Sequence, residues 1–298
     1  MSDFQQWDQK LHAQQWLLFQ KNLGVFLSID ETCLSNGELY TIVTNKAAKG
    51  RKGAIIAMVK GTKADDIIAV LQRLPRRIRW KVKEVTLDMA ANMEYIVKIC
   101  FPLAKRVTDR FHVQQLVYEA VQEMRIKYRW QAIDSEAIEI IVAKNHRISY
   151  KPTVFSNGDT LKQLLARSRY LLFKKPTAWT ASQKARAELL FELYPKLKEA
   201  YYLSLQLGAI YHQTKTKGIA FTKLAQWYDR VDKAKFPSFA TVARTIEAHY
   251  ETILNYFDNR STNASAESFN AKIKAFRTAF RGVRDIKFFL FRVTKIYA

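Results

Sequence analysis

Cysteine is almost absent: the chain of 298 residues has two, Cys33 and Cys100. Two thiols make neither a disulfide framework nor a zinc-binding set, and they fit a reducing compartment, so a cytoplasmic location is expected. Glycine and proline are scarce, at 9 and 6, which argues against a long flexible linker. There is no apolar run of the roughly 18 residues that a membrane-spanning helix needs. The opening MSDFQQWDQK lacks the basic start and apolar middle of a secretion signal. Acidic charge is the remaining shortage. Against 49 Lys and Arg stand 27 Asp and Glu, for a net charge of +22.

That excess favours polyanionic partners, nucleic acid above all. Its distribution supports a bound backbone over a diffuse positive coat. Residues 46–83 hold twelve basic side chains against two acidic ones, and residues 258–298 hold nine against three. Candidate phosphate contacts are Lys49, Arg51 and Lys52 in the first tract, Arg110, and Lys272, Lys274, Arg277, Arg281 and Arg284 in the second. With 48% hydrophobic and 13% aromatic residues, the chain can bury a large core.

Phe4, Trp7, Leu11 and Leu18 have helical spacing, which predicts an amphipathic helix over 4–20, ended by Gly24. Strand-like runs follow at 25–30, 39–44 and 54–60, with Ser35-Asn36-Gly37 as the hairpin turn between the first two. The pattern then alternates: a helix over 64–74, a strand over 84–87, a helix over 92–100, a strand over 105–108 and a helix over 112–130. From 131 to 257 the signal is almost all helical. A last pair of helices begins near 266 and 285. The expected organisation is an N-terminal helix (1–24), the first part of an α/β core (25–130), an all-α insertion (131–257) and the last part of the core (258–298).

Three of the predicted strands run into aspartate: Asp30 in VFLSIDET, Asp88 in VTLDMA and Asp109 in VTDRFHV. If the first and fourth strands are parallel neighbours, their ends lie about 4.8 Å apart. That spacing suits carboxylates sharing divalent metals, and a hard cation such as Mg²⁺ takes oxygen ligands. Glu267, in the first turn of a helix carrying Phe269, Ile273, Phe276 and Phe280, is a further candidate; complementing the helix dipole is its plainer role. His112 starts a helix and has two readings, a phosphate contact or a structural histidine. Asn263 and Asn270 flank Glu267, as orienting groups or, for Asn263, as a cap. Trp130, Trp179 and Trp227 read as core residues.

In that order, SIDET, TLDMAANMEYIVKICFPLAKRVTDRFHVQQL and SAESFNAKIKAFRTAFRGVRD resemble the DDE transposases of bacterial insertion sequences, of the group named ISL-three. The resemblance runs from about residue 25 to 295 and includes LLFKKPTAWTASQKARAELLFELYPKLKEAYYL. It implies a ribonuclease H-like α/β fold, with a five-stranded mixed sheet in strand order 3-2-1-4-5 interrupted by a large all-α insertion. It implies Asp30, Asp88 and Glu267 as the catalytic, metal-holding acids, with Asp109, His112 and Asn270 in support. Two Mg²⁺ or Mn²⁺ ions are the implied cofactors. Asp109 also ends a strand within a family motif, and it competes with Asp88 as second acid.

The implied activity is metal-dependent cleavage and strand transfer at the ends of an insertion sequence. The implied partners are DNA, as terminal inverted repeats and target, and a second copy of the chain on that DNA. Relatives carry an N-terminal zinc-binding segment and helix-turn-helix; here no Cys/His cluster occurs. End recognition is then expected from a separately encoded DNA-binding protein, or from a longer chain of which this is a part. Where relatives have Gly after the last acid, this chain has Ser268. The alternatives are a catalytically inert DNA-binding relative and a structure-specific nuclease on the same fold.

Overall fold

The computed structural model describes residues 2–34, 38–280 and 285–298. The expected turn at Ser35-Asn36-Gly37 and the candidate contacts Arg281 and Arg284 lie outside the described residues. In chain order the elements are α1 (Ser2–Gln5), β1 (Trp16–Leu18), β2 (Phe26–Cys33), β3 (Leu39–Asn45), β4 (Ile55–Lys60), α2 (Ala64–Leu71), α3 (Arg76–Arg79), β5 (Glu84–Leu87), α4 (Ala91–Cys100), β6 (Lys105–Thr108) and α5 (Arg110–Asn145). Then come α6 (Leu161–Arg167), α7 (Ala181–Leu193), α8 (Pro195–Gln213), α9 (Lys217–Ala234), α10 (Pro237–Ala248), α11 (Tyr250–Leu254), α12 (Tyr256–Asn259), α13 (Ala264–Ala279) and α14 (Ile286–Tyr297). The chain forms two compact units, residues 1–112 with 249–298, and residues 113–248. Among the described residues no helix is long and apolar enough to cross a membrane.

The first unit is a mixed sheet with helices on both faces. The expectation of five strands in the order 3-2-1-4-5 is corrected: among the described residues there are six, in the order β1-β4-β3-β2-β5-β6. The added strand comes from the segment whose spacing predicts an amphipathic helix. That helix shrinks to Ser2–Gln5, and Trp16–Leu18 pairs antiparallel with Ala57–Val59 of β4. Local contacts explain the switch. The Gln9 side-chain amide bonds both the N–H and the carbonyl of Leu18, at 2.9 and 3.1 Å, so a side chain completes the outer edge of β1. The His12 ring stacks on Trp16 with centroids 3.5 Å apart and bonds the Trp16 carbonyl.

β2 is the pivot of the sheet. It pairs antiparallel with β3 and parallel with β5, and β5 pairs parallel with β6. Alternation along β2 sends Leu27 and Ile29 to one face, where they pack with Val85, Leu87 and the α2 and α4 residues Ile67, Leu71, Met93, Ile96 and Val97. On the other face Tyr40, Ile42 and Met58 pack against Phe269 and Ile273 of α13 and Phe289, Leu290 and Val293 of α14. The apolar stripe foreseen in the last helices is therefore the lid of that face. A register shift at Val43/Thr44 lets adjacent Ile56 and Ala57 both join the first core.

The second unit is helical. The helices expected at 112–130 and 135–143 are one helix, α5, which begins in the first unit and continues through 36 residues. Val113, Val117, Ala120 and Val121 are buried along it at helical spacing. Thr180 caps α7 in a reciprocal pair with Gln183, and Pro195 stands in the first turn of α8. Trp227 is buried and donates its indole N–H to the Leu203 carbonyl at 2.9 Å. Trp179 is half-buried, whereas Trp130 is 60% exposed and is not a core residue.

Candidate active site

Asp30 is not a strand-ending residue in the simple sense expected. Pairing with β3 carries β2 three residues further, to Cys33 opposite Leu39. On its other side the ladder with β5 stops at Ser28 opposite Thr86. Asp30 and Asp88 are each two positions beyond that last pair, so the parallel register sets them side by side. The β5–β6 ladder ends at Leu87 opposite Thr108, and the Asp109 N–H bonds the Leu87 carbonyl at 2.9 Å. All three aspartates therefore leave adjacent strands at one level, where parallel pairing gives way.

Glu267 arrives from α13. Buried Phe269 and Ile273 seat that helix on the sheet, which places Glu267 and Asn270, three residues apart, on the strip beside the apolar one. Asn270 Nδ2 donates to Asp30 Oδ2 at 2.7 Å, while Asp30 Oδ1 accepts the Glu31 N–H at 2.8 Å. Asn270 thus supports Asp30 rather than Glu267. Asp88 Oδ1 accepts the Ala90 N–H at 2.9 Å, which fixes the turn into α4.

The electrostatics tie these groups together. Burial pushes Asp30 above the usual carboxylate range. The Glu31 N–H and a charged His112 oppose the shift, and Asp88 and Asp109 add to it. Glu267 is raised by burial and then by Asp109, which lies within hydrogen-bonding reach, with a charged His112 opposing and Asp30 adding. Glu31 is raised by burial and by Asp88 and Asp30, against a hydrogen bond from Asn92. Two carboxylates in contact need a shared proton or a cation between them. Without either, both oxygens of buried Asp109 have no partner.

Among the described residues, no three His, Cys, Asp or Glu side chains form a group that could hold a metal ion. The acids sense one another through their charges without being drawn into a closed chelate. Their chemistry nevertheless fits a hard divalent cation: the donors are carboxylate oxygens, and the partnerless Asp109 oxygens are what a bound cation would satisfy.

Several residues that hold the site escaped the sequence reading. Lys46 sends its ammonium to within 2.7 Å of Thr86 Oγ1 and 3.6 Å of buried Glu84. Asn259 donates to the other Glu84 oxygen at 3.1 Å, and Asn255 donates to the Arg106 carbonyl at 2.9 Å. Thr252 and Thr108 share a 2.7 Å hydroxyl contact, and Lys105 pairs with Asp258 at 2.6 Å. These contacts stitch the chain returning from α11 and α12 along β6 and β5 before it enters α13. No local spacing announces them, because each partner lies far away in sequence.

The basic candidates divide. The 49–53 loop turns sharply, with left-handed φ at Lys49 and at Gly50, and presents Lys49, Arg51 and Lys52 outward. Lys272 reaches this loop, bonding the Gly50 carbonyl at 3.2 Å, so the two basic tracts meet on one unit. Lys274 is exposed. Arg277 lies over the Phe289 ring, 5.0 Å from its centroid, and Arg110 points to the Tyr256 hydroxyl at 3.5 Å. His112 is half-buried in the first turn of α5.

The first unit thus combines carboxylates gathered where parallel pairing ends with an exposed basic loop on the same mixed α/β sheet. The family comparison is specific. A family model described as transposase, for the ISL-three group of DDE enzymes, matches residues 27–293, and the chain belongs to that family. The chain is also 27% identical over 206 residues to the transposase for insertion sequence element IS1557 of Mycobacterium tuberculosis, in strains CDC 1551 and H37Rv. The match covers 69% of this chain and 45% of those relatives, so the chain spans under half of their length. No solved structure matches the chain.

Proposed function

We propose that the chain is the catalytic part of a transposase that cuts DNA at the ends of an insertion sequence and joins it to a target. In this reading the first unit is a ribonuclease H-like core, and residues 113–248 are its helical insertion. Asp30 and Asp88 are the first two acids, Glu267 is the last, and these three would hold two Mg²⁺ or Mn²⁺ ions. When bound, such ions supply Lewis acidity to an attacking water or 3′-hydroxyl and to the leaving oxygen of the phosphodiester. Asn270 holds the Asp30 carboxylate in one orientation. Asp109, packed against Glu267, sets where that side chain lies. The basic loop 49–53 and the exposed face of α13 hold the phosphate backbone.

The observation that carries this reading is the convergence of Asp30 and Asp88 from paired parallel strands with a helix pinned to Asp30 through Asn270. DNA is the partner, and recognition of the terminal repeats falls to a further segment or a separate protein. The test is cleavage of a terminal-repeat duplex in Mg²⁺. Asp30→Ala, Asp88→Ala and Glu267→Ala each abolish cutting and leave DNA binding largely intact. Robust cutting by all three variants would sink the assignment, and an unaltered chain that binds the duplex without cutting it would favour an inert, DNA-holding role.

A further inference from the structure

Lys46 follows β3 directly, yet its side chain is largely buried, and the sheet register shows where its ammonium lies. Thr44, Ser28 and Thr86 stand opposite one another on β3, β2 and β5, a row of three hydroxyls across one face. Asp30 and Asp88 come two residues further along β2 and β5, on the same face, a step of about 6.6 Å. The Lys46 ammonium donates to Thr86 Oγ1 at 2.7 Å, so it is held one step short of the acids. Glu84, its other partner at 3.6 Å, lies one step further from them.

Charge around that row is unbalanced. Asp30, Asp88, Asp109 and Glu267 supply four carboxylates, and Glu84, only 1% exposed, supplies a fifth. Among the described residues, Lys46 with Glu84 is the one ion pair that any of the five makes. Burial pulls the Lys46 ammonium below its ordinary value, while Glu84 and then Asp109 hold it up, so its charge is felt within the acid cluster. A cation fixed there opposes the repulsion between carboxylates, and by the same sign it opposes a divalent ion among them.

We infer that Lys46 is a positioning residue for the acids: an internal cation that holds them together without metal and weakens their grip on a divalent ion. The inference rests on the reading of Asp30, Asp88 and Glu267 as metal-holding. A merely structural lysine, once removed, lowers stability and leaves metal affinity unchanged or lower; an internal counterion gives opposite signs. Melts of the full chain in EDTA read stability. Titration with Mn²⁺, whose free-ion paramagnetic resonance signal is lost on binding, reads affinity. Lys46→Met is expected to melt lower than the unaltered chain, because buried Glu84 loses its cation, and to bind Mn²⁺ about tenfold more tightly. Lys46→Met combined with Glu84→Gln removes both charges and keeps the fold where the single change does not. It also binds Mn²⁺ more tightly, since the ammonium is the nearer charge to the acids. Mn²⁺ affinity in the double variant equal to or below that of the unaltered chain overturns the inference and leaves the reading of the acids standing. An unaltered chain that takes up no Mn²⁺ overturns both.

Discussion

Asn270 and Asp30, 240 positions apart, are joined by a 2.7 Å hydrogen bond from the amide of α13 to the carboxylate of β2. The carboxamide is neutral, so it orients Asp30 without neutralising it. Removing such a partner from a metal-holding carboxylate typically costs about 10–100-fold in activity or metal affinity. Asn270→Ala is expected to lower single-turnover cleavage by about that factor with DNA affinity unchanged. Asn270→Asp does worse, because it sets a like charge against Asp30. Full activity in Asn270→Ala would remove the residue from any positioning role.

Asp88 and Asp109 make opposite predictions. Asp88→Asn abolishes cleavage if Asp88 is the second acid, while Asp109→Asn retains part of it. In EDTA, Asp109→Asn also stabilises the protein, since a carboxamide N–H donates to Glu267 where a buried and a half-buried carboxylate now repel. A rise in Tm of about 2–4 °C is expected, as for roughly 1 kcal/mol in a protein this large. A reversed pattern of cleavage, lost in Asp109→Asn and kept in Asp88→Asn, transfers the role to Asp109.

The basic side chains differ in what they lose. Lys274→Ala, or a triple change of Lys49, Arg51 and Lys52, reduces the slope of log K against log salt by about 0.9 for each phosphate contact removed. Arg277→Ala additionally lowers Tm, because its guanidinium packs over Phe289. Binding titrations from low to moderate salt, paired with thermal melts, separate the two effects. A salt-independent affinity would contradict the phosphate-track reading.

Asp159 is expected to make the second unit acid-labile. It is fully buried, and burial alone would push its carboxyl up, but Arg186 at 2.9 Å and Arg167 hold it below the usual range. A depressed folded value means that the stabilisation is present above the unfolded value of about 3.9 and is lost as pH falls through the lower folded one. Removing one partner of a buried pair costs about 3–5 kcal/mol. The low end applies to Asp159→Asn, since Arg167 is more than half exposed and can return to water. Melts of the two proteins should differ at neutral pH and converge near the bottom of that window.

The edge strand β1 shows where local patterning fails. Phe4, Trp7, Leu11 and Leu18 sit at helical intervals, yet Trp16–Leu18 pairs with β4 and Leu11 is left in solvent. Periodicity records which residues are apolar and is silent on which neighbour they meet. Trp130 fails in the same way: it is apolar in sequence and exposed in the structure. The stripe of Phe269, Ile273, Phe276 and Phe280 succeeded because one helix face packs on one sheet face, which is the situation that periodicity describes.

By itself, the amino-acid sequence determined the alternation of strands and helices in the core, the helical character of the middle, the aspartates that directly follow β5 and β6 and the basic excess. Each is a property of neighbours along the chain, set by side-chain period, turn chemistry and charge. Only the tertiary structure decided that Asp30 and Asp88 share a register, that α13 is pinned to Asp30 by Asn270, that Lys272 meets the loop at Gly50, and that Lys46 and Asn259 converge on Glu84. Those relations join residues far apart in sequence, and they form when burial of the two sheet faces brings the ends of the chain together.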